Sequence, residues 1–361
     1  MWETYNTIIN NSFLHHHGPI HEFYLYIPDN GQNNGSYQKT LNLNAWLHFL
    51  SHNGVKKITL INYLCLFAAI PLPSHIYSCI ELEELTLSKG FILKRPSTEF
   101  KCIKHIRKLE LNSITLDGDI FSNLIANCPK LIILKLEHCL YHKNIVIDAP
   151  KLENLTLNVS SSIGLLSFKN IPNLAKLELS WCDSSITDRQ TAEAADAIKK
   201  LAASCDLKSL FLRDYKSNKI FAAIGKKKVF PLALAHLYEL SLGVLNLNDF
   251  GVFSCTFGFI QSCPSFKKLA ISVSRPNINV EVEHDYDYDN NYKLGNLVEV
   301  DIDGVTASKA ELKLIEYVLS ASIVLQRFTI KFGAIGDVAE LKVQRKLNGF
   351  QRASPKTQIV F

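Results

Sequence analysis

Large apolar side chains recur along almost the whole chain in the spacing L-x-x-L-x-L. The clearest copies have as their middle residues Leu85, Leu109, Leu134, Leu155, Leu177, Leu210, Leu240, Leu269, Val300 and Phe328. Upstream, a further copy is centred on Ile58 and a looser one on Phe23. The last two apolar residues of each copy alternate with polar ones, as in a short strand with one buried face. Each copy therefore predicts one strand.

A single copy cannot bury its apolar side chains, but stacked copies can. Neighbouring strands then form a parallel ladder, and the segments that return to the next strand cover its buried side. Successive copies lie about 21 to 33 residues apart, close to the period of leucine-rich repeats. The pattern predicts an α/β fold, a leucine-rich repeat solenoid (horseshoe) with a parallel sheet on the concave side and helices or irregular segments on the convex side.

Three parts are predicted along the chain: an amino-terminal linker and cap (1–50), the leucine-rich repeats (51–304) and a carboxy-terminal cap (305–361). In the first part we expect an irregular start, a strand near 23–27, a polar loop over 29–36 and a helix near 43–51. In the last part Ser308 and Glu311 have the spacing of a capping box, which predicts a helix over 309–320. A strand at 327–331, a helix near 338–347 and a strand at 358–361 should close the stack.

Two segments between repeats have distinctive compositions. Residues 187–204 are rich in helix formers with apolar residues three and four apart, which predicts an amphipathic helix on the convex side. Residues 281–292 are acidic, and Asp285, Asp287 and Asp289 imitate the start of a calcium loop. Asn290 and Asn296 stand where that loop needs Gly and Glu, so we interpret the segment as a protruding loop.

Composition narrows the class of protein. Of the 361 residues, 47% are hydrophobic and 20% charged, as expected for a packed globular chain. The net charge of +5 is spread out, and the one dense basic run, 226–228, is interpreted as a solvated loop, so nucleic acid is not the favoured partner. The apolar run 63–72 is too short to span a membrane, and the first residues do not resemble a secretory signal.

The nine cysteines are an odd number and contain no C-x-x-C pair, which favours reduced core residues over a disulfide framework or a zinc site. Cys139 and Cys182 occupy the turn after a strand, where we expect their small side chains to face the loop backbone. These features predict a cytoplasmic or nuclear protein.

No catalytic motif stands out. His48 and His52 are four residues apart, but no Glu follows His48, so the pattern of a hydrolytic zinc site is missing. The chain also has no Gly-rich phosphate loop, no G-x-S-x-G motif and no pattern of a catalytic Cys/His dyad. We therefore predict no enzymatic activity, no metal and no cofactor.

Several short sequence segments, called phrases below, are more specific than the general repeat pattern. They are H-G-P-I-H-E-F-Y-L at 17–25, W-L-H-F-L at 46–50, I-A-N-C-P-K-L at 125–131 and the closing R-A-S-P-K-T-Q-I-V-F at 352–361. Together they resemble the plant F-box/leucine-rich-repeat proteins that carry a carboxy-terminal FBD segment. The resemblance implies the substrate-recognition part of an SCF-type (Skp-cullin-F-box) ubiquitin ligase.

The amino-terminal F-box of that family is absent from this sequence, whose first residues resemble the linker after it. A Skp-type adaptor is thus an expected partner only if an F-box exists upstream. The alternative hypothesis is a ligase-independent leucine-rich repeat binding protein or a small-molecule receptor.

The residues between the leucines of each copy should point to the concave side, where an unknown target protein would bind. Their mixed charge favours a protein over a polyanion. Phe211 and Arg213, with Trp181 nearby, are residue types that often anchor interfaces. The predicted binding residues are Lys135, Glu137, Lys176, Glu178, Trp181, Phe211 and Arg213.

Overall fold

The structure of the protein is a computed structural model. It describes residues 2–28, 41–63, 70–93, 103–159, 165–181, 192–193, 196–198, 200–201, 205–214, 218–227, 234–274 and 292–361. The chain divides into two compact units, Met1–Leu174 and Ala175–Phe361. Each unit contains a parallel sheet whose strands follow one another in chain order.

In the first unit, six parallel strands each come from one copy of the repeat. They are β1 (Glu22–Ile27), β2 (Lys57–Asn62), β4 (Glu84–Ser88), β6 (Lys108–Asn112), β8 (Ile133–Glu137) and β11 (Asn154–Val159). Short strands form two further ladders, one of β3 (Ile70–Pro71), β5 (Phe91–Ile92), β7 (Thr115–Leu116) and β9 (Leu140–Tyr141), and one of β10 (Ile145–Asp148) and β12 (Leu166–Lys169). The helices are α1 (Trp2–Leu14), α2 (Leu43–Ser51) and α3 (Gly118–Ala126), and a 3₁₀ turn spans Ser74–Ser78.

The strand register places equivalent leucines side by side. Leu85 pairs with Leu109, Leu109 with Leu134 and Leu134 with Leu155. All four are at most 3% exposed. Burying a large aliphatic side chain contributes about 1.5–3 kcal/mol, so the aligned leucines are the principal source of stability in this unit.

The amino terminus differs from the prediction of an irregular start, because α1 is a regular helix. Its half-buried residues Tyr5, Ile9 and Phe13 are four apart, a helical spacing that was visible in the sequence. The Phe13 ring stacks on Phe49 with centroids 4.8 Å apart, and Trp46 Nε1 donates to Asn10 Oδ1 at 2.8 Å. The predicted strand β1 and helix α2 are confirmed, whereas the predicted loop over 29–36 lies outside the described residues.

In the second unit, seven parallel strands form the sheet. They are β13 (Lys176–Trp181), β14 (Ser209–Asp214), β15 (Glu239–Leu245), β16 (Lys268–Val273), β17 (Glu299–Val305), β18 (Arg327–Phe332) and β19 (Gln358–Val360). The helices are α4 (Lys219–Lys227), α5 (Phe250–Gln261), α6 (Lys309–Ala321) and α7 (Asp337–Asn348). The parallel strands that alternate with helices confirm the predicted α/β leucine-rich repeat fold.

Three of the predicted segments are only partly covered by the described residues. Within 187–204 the structure describes a few residues between 192 and 201, and these are helical. The acidic segment lies outside the described residues except for Tyr292. The prediction of a loop at the basic run is wrong for Lys226 and Lys227, which lie in α4, and Lys228 lies outside the described residues.

Helices α4 and α5 approach each other through glycines. A Cβ atom on Gly225 would lie 1.8 Å from the Gly251 carbonyl oxygen, and one on Gly251 would lie 2.5 Å from that of Ala222. Nine of the twelve residues of α5 are buried, so this helix needs neighbours on most of its surface. The glycines allow the two backbones to come that close.

The predicted capping box of α6 is present. Ser308 Oγ accepts from the Glu311 amide at 3.3 Å, and Glu311 Oε2 accepts from the amides of Ser308 and Thr306 at 3.1 and 2.8 Å. The Thr306 hydroxyl donates to Glu311 Oε1 at 2.9 Å. Glu311 is 3% exposed, so its carboxylate holds together the turn between β17 and α6.

The remaining carboxy-terminal elements match their predicted places. The hydroxyls of Ser354 and Thr357 both donate to the Leu325 carbonyl, at 2.7 and 3.1 Å. These two hydrogen bonds hold the segment before β19 against the start of β18. They give a structural reason for the Ser and Thr in the closing phrase of the sequence.

We predict that Glu311→Ala destabilises the α6 region by about 2 kcal/mol, because three donors lose a charged acceptor. Amide hydrogen exchange in α6 should quicken accordingly. The matched control is Glu316→Ala, since Glu316 is exposed on the same helix. Equal protection in the two variants would contradict the role assigned to Glu311.

We also predict that Gly225→Ala lowers the free energy of unfolding by about 1–3 kcal/mol, because the added methyl group must push α4 and α5 apart. Urea denaturation measures the change. Gly295→Ala is the control, since a Cβ atom there meets nothing within 4 Å. The close helix contact would be refuted if both variants were as stable as the natural chain.

Candidate functional site

The side chains between the leucines lie on the side of each sheet opposite its buried core, which we call the open face. In β6, for example, Leu109 and Leu111 are buried while Lys108, Glu110 and Asn112 are partly exposed. The same alternation occurs in β4 and β8. The open face is thus the surface that the repeat pattern offers to a partner.

On the open face of the first unit, the charged residues pair with one another. Lys57 Nζ lies 3.2 Å from Glu22 and 3.4 Å from Glu84, and hydrogen bonds to these two carboxylates raise the Lys57 pKa. Two of the predicted binding residues, Lys135 and Glu137, form a 3.2 Å ion pair. Such exposed pairs stabilise the fold little, but they neutralise the charge that a partner would meet.

Exposed aromatic rings stand out on β1 and just after β2. Tyr24 is 64% exposed, and the rings of Tyr26 and Tyr63 lie 4.9 Å apart. Lys89 Nζ lies 3.3 Å from the centre of the Tyr63 ring. Tyr24 and Tyr26 follow from the strand register, whereas Tyr63 comes after β2 and was missed by sequence reasoning.

Four predicted binding residues come together on β13 and β14 of the second unit. Lys176 Nζ lies 4.7 Å from the centre of the Phe211 ring, a cation–π contact. Arg213 Nη1 lies 3.1 Å from Glu178 Oε1, and Glu178 pairs with Phe211 in the backbone register. We call Lys176, Glu178, Phe211 and Arg213 the aromatic–arginine cluster.

The place of Arg213 depends on a glycine in the next strand. Gly243 pairs with Arg213 in the register of β14 and β15, and a Cβ atom on Gly243 would lie 2.8 Å from Arg213 Cγ. The Arg213 side chain therefore passes closely over a position without a side chain. The repeat pattern alone gave no signal for this contact.

The predicted place of Trp181 on the binding surface is wrong. Trp181 is only 3% exposed, and the preceding Ser180 is 6% exposed. The strict alternation of β13 ends at Leu179, because Leu179, Ser180 and Trp181 are all buried. A buried indole cannot contact a partner protein, so Trp181 belongs to the core.

Nucleophilic chemistry has little support in the described part of the chain. Burial raises the pKa values of the Cys128 and Cys263 thiols to about 12, so both remain protonated near neutral pH. The Cys139 Sγ lies 3.4 Å from the carbonyl oxygen of Leu111, which belongs to strand β6, and Cys182 lies outside the described residues.

His48 of α2 has two histidine neighbours, His52 and His75. The His48 ring lies 4.7 Å from His52 and 4.6 Å from His75, between ring centres. Among the described residues, no three or more His, Cys, Asp or Glu side chains are arranged to hold a metal ion. Each helix among the described residues is too short or too polar to span a lipid bilayer.

Comparison with known proteins identifies relatives of the whole chain. Residues 43–215 match the family described as "FBD-associated F-box protein At5g56370, LRR repeats". The chain is 26% identical over 361 residues to the F-box/FBD/LRR-repeat protein At1g13570 of Arabidopsis thaliana. This match covers 98% of this chain and 82% of that protein. It is 20% identical over 358 residues to the FBD-associated F-box protein At4g13985 of the same plant, covering 89% of this chain and 75% of that protein.

We predict that Gly243→Thr moves Arg213 off the sheet and weakens its ion pair with Glu178. A double-mutant cycle of Arg213→Ala and Glu178→Ala measures the pair, which should be worth about 0.5 kcal/mol in the natural chain. In the Gly243→Thr background the coupling should fall towards zero. An unchanged coupling energy would show that Arg213 does not need the open position.

Proposed function

Because this chain belongs to the F-box/FBD/LRR-repeat protein family, we propose that it is the substrate-recognition part of an SCF-type ubiquitin ligase. Its open face binds a target protein, and other subunits transfer ubiquitin to that target. A Skp-type adaptor joins the complex only if an F-box exists upstream of this sequence. The family's leucine-rich repeats support a role in protein interaction, and the proposal extends this role to a ligase.

The aromatic–arginine cluster is the observation that carries the proposal. Phe211 offers an apolar ring that is only partly covered, and Arg213 lies beside it on the same strand. Aromatic and arginine side chains dominate the binding energy of many protein interfaces. In this protein neighbouring side chains hold both in place before a partner arrives, which reduces the entropy lost on binding.

The charge of the open face supports a protein as the target. Lysines and glutamates alternate and pair in both units, as in Lys108 with Glu110 and Lys268 with Glu299. A nucleic acid would require an excess of unpaired cations along one face. Paired charges instead provide hydrogen-bonding groups of both signs around a hydrophobic anchor.

We predict that the double substitution F211A/R213A abolishes capture of the target. Proximity labelling with the full chain in plant cells, followed by mass spectrometry, identifies proteins that depend on the two side chains. The matched control is Tyr238→Ala with Arg107→Ala, which removes an exposed aromatic and an exposed arginine just before two strands. An identical set of labelled proteins from F211A/R213A and the natural chain would refute the proposed face.

The ligase role has its own readout in the same experiment. Proteins lost from the F211A/R213A sample should become more abundant when cullin activity is inhibited, because they are then no longer degraded. A Skp-type adaptor should be labelled by both variants only when they are expressed with an upstream F-box. If the dependent proteins keep their normal turnover when cullin activity is inhibited, the chain is a ligase-independent binding protein.

A further inference from the structure

Unpaired negative charge on the open face of the second unit lies on β17. Asp301 and Asp303 are both exposed, and among the described residues no lysine, arginine or histidine nitrogen lies within 4.0 Å of either carboxylate. Lys331 stands beside Asp303 in the strand register without closing such a pair. Glu299, the third acid of the strand, is neutralised by Lys268 at 3.0 Å.

The positive end of the same face is the aromatic–arginine cluster. It contains two cations, Lys176 and Arg213, and a single carboxylate, Glu178. In the described residues only the Nη1 atom of Arg213 contacts that carboxylate, at 3.1 Å. The other guanidinium N–H groups can therefore donate to a second acidic group, one that a partner brings.

Between the two ends lie strands β15 and β16, each with three residues on the open face. The second and third of these residues have small side chains in both strands. Ser241 and Gly243 lie on β15, and Ala270 and Ser272 lie on β16. The register pairs Ser241 with both Phe211 and Ala270, and Ala270 with Asp301. The four strands thus form a low floor with Phe211 and Arg213 at one side and the free aspartates at the other.

We propose that this floor binds an extended segment of the target protein with charges of opposite sign at its two ends. Its acidic side chain meets Arg213 and Lys176, an adjacent apolar side chain covers Phe211, and its basic side chain meets Asp301 and Asp303. The inference rests on the proposed function, since it describes the segment that the open face recognises.

The spacing of the strands sets the length of the segment. β14 and β17 are three strand intervals apart, roughly 14 Å at about 4.8 Å for each interval. An extended peptide advances about 3.4 Å per residue. The acidic and basic residues are therefore about four positions apart in the target.

A random library of ten-residue peptides, displayed on phage, tests the proposal with the full chain as bait. Peptides selected by the natural chain should contain Asp or Glu beside an apolar residue, with Arg or Lys about four positions away. Asp301→Lys with Asp303→Lys should weaken the selected peptides at least about tenfold in fluorescence polarisation, because attraction becomes repulsion. Library selection on that variant should lose the basic residue and keep the acidic one.

Glu153→Lys with Glu316→Lys is the matched control, since both acids are exposed outside the open face and the net charge changes by the same amount. Its peptides should keep their affinity. If peptide binding were weakened equally in both double variants, the effect would come from the net charge alone, and the proposal would be overturned. Self-association of the chain that is lost with Asp301→Lys and Asp303→Lys would assign the floor to a second copy and would also overturn it.

The outcomes separate this inference from the proposed function. Peptides that depend on Phe211 and Arg213 but lack the charge pattern would overturn the inference alone. Selected peptides that are indifferent to Phe211 and Arg213 would count against the proposed face as well. Peptides that carry both charges and lose affinity when either end is substituted support both.

Discussion

Burial of the aligned leucines beneath the parallel strands is the interaction on which the other features of this protein depend. Each repeat places two or three large apolar side chains in register with those of the neighbouring strands. Leu109, for example, lies between Leu85 and Leu134. No repeat could bury these groups alone. The register that buries them also determines which residues remain outside, because successive side chains of a strand point to opposite faces. The alternation of buried and exposed side chains thus determines both the stability of each sheet and the surface that it offers to a partner.

The open faces of the two units use this alternation differently. In the first unit, Lys57, Lys108 and Lys135 each meet a carboxylate, and the protruding groups are tyrosines. In the second unit, small residues on β15 and β16 lower the surface between Phe211 and Asp301. A partner would meet neutralised charge and aromatic rings on the first surface. On the second it would meet a low floor beside aspartates that have no ion pair among the described residues. The second surface therefore offers greater electrostatic selectivity.

The ends of repeats and of the chain require additional interactions, because the leucine ladder does not satisfy the polar groups of turns. Glu311 serves three donors at the start of α6, and Ser354 with Thr357 serves the Leu325 carbonyl before β19. At the amino terminus, α1 packs Phe13 against Phe49 and Phe23.

Local periodicity determined the strands, the residues of the open face and the capping box of α6, since these depend on residues two to four positions apart. Helix α1 was missed although Tyr5, Ile9 and Phe13 have helical spacing, because the surrounding segment is polar. Lateral contacts were decided only by the tertiary structure. The contact of Lys176 with Phe211, the passage of Arg213 over Gly243 and the burial of Trp181 join or separate residues that lie on different repeats or at a strand end. Such contacts depend on how return segments of unequal length bring neighbouring strands into register, which no local pattern encodes.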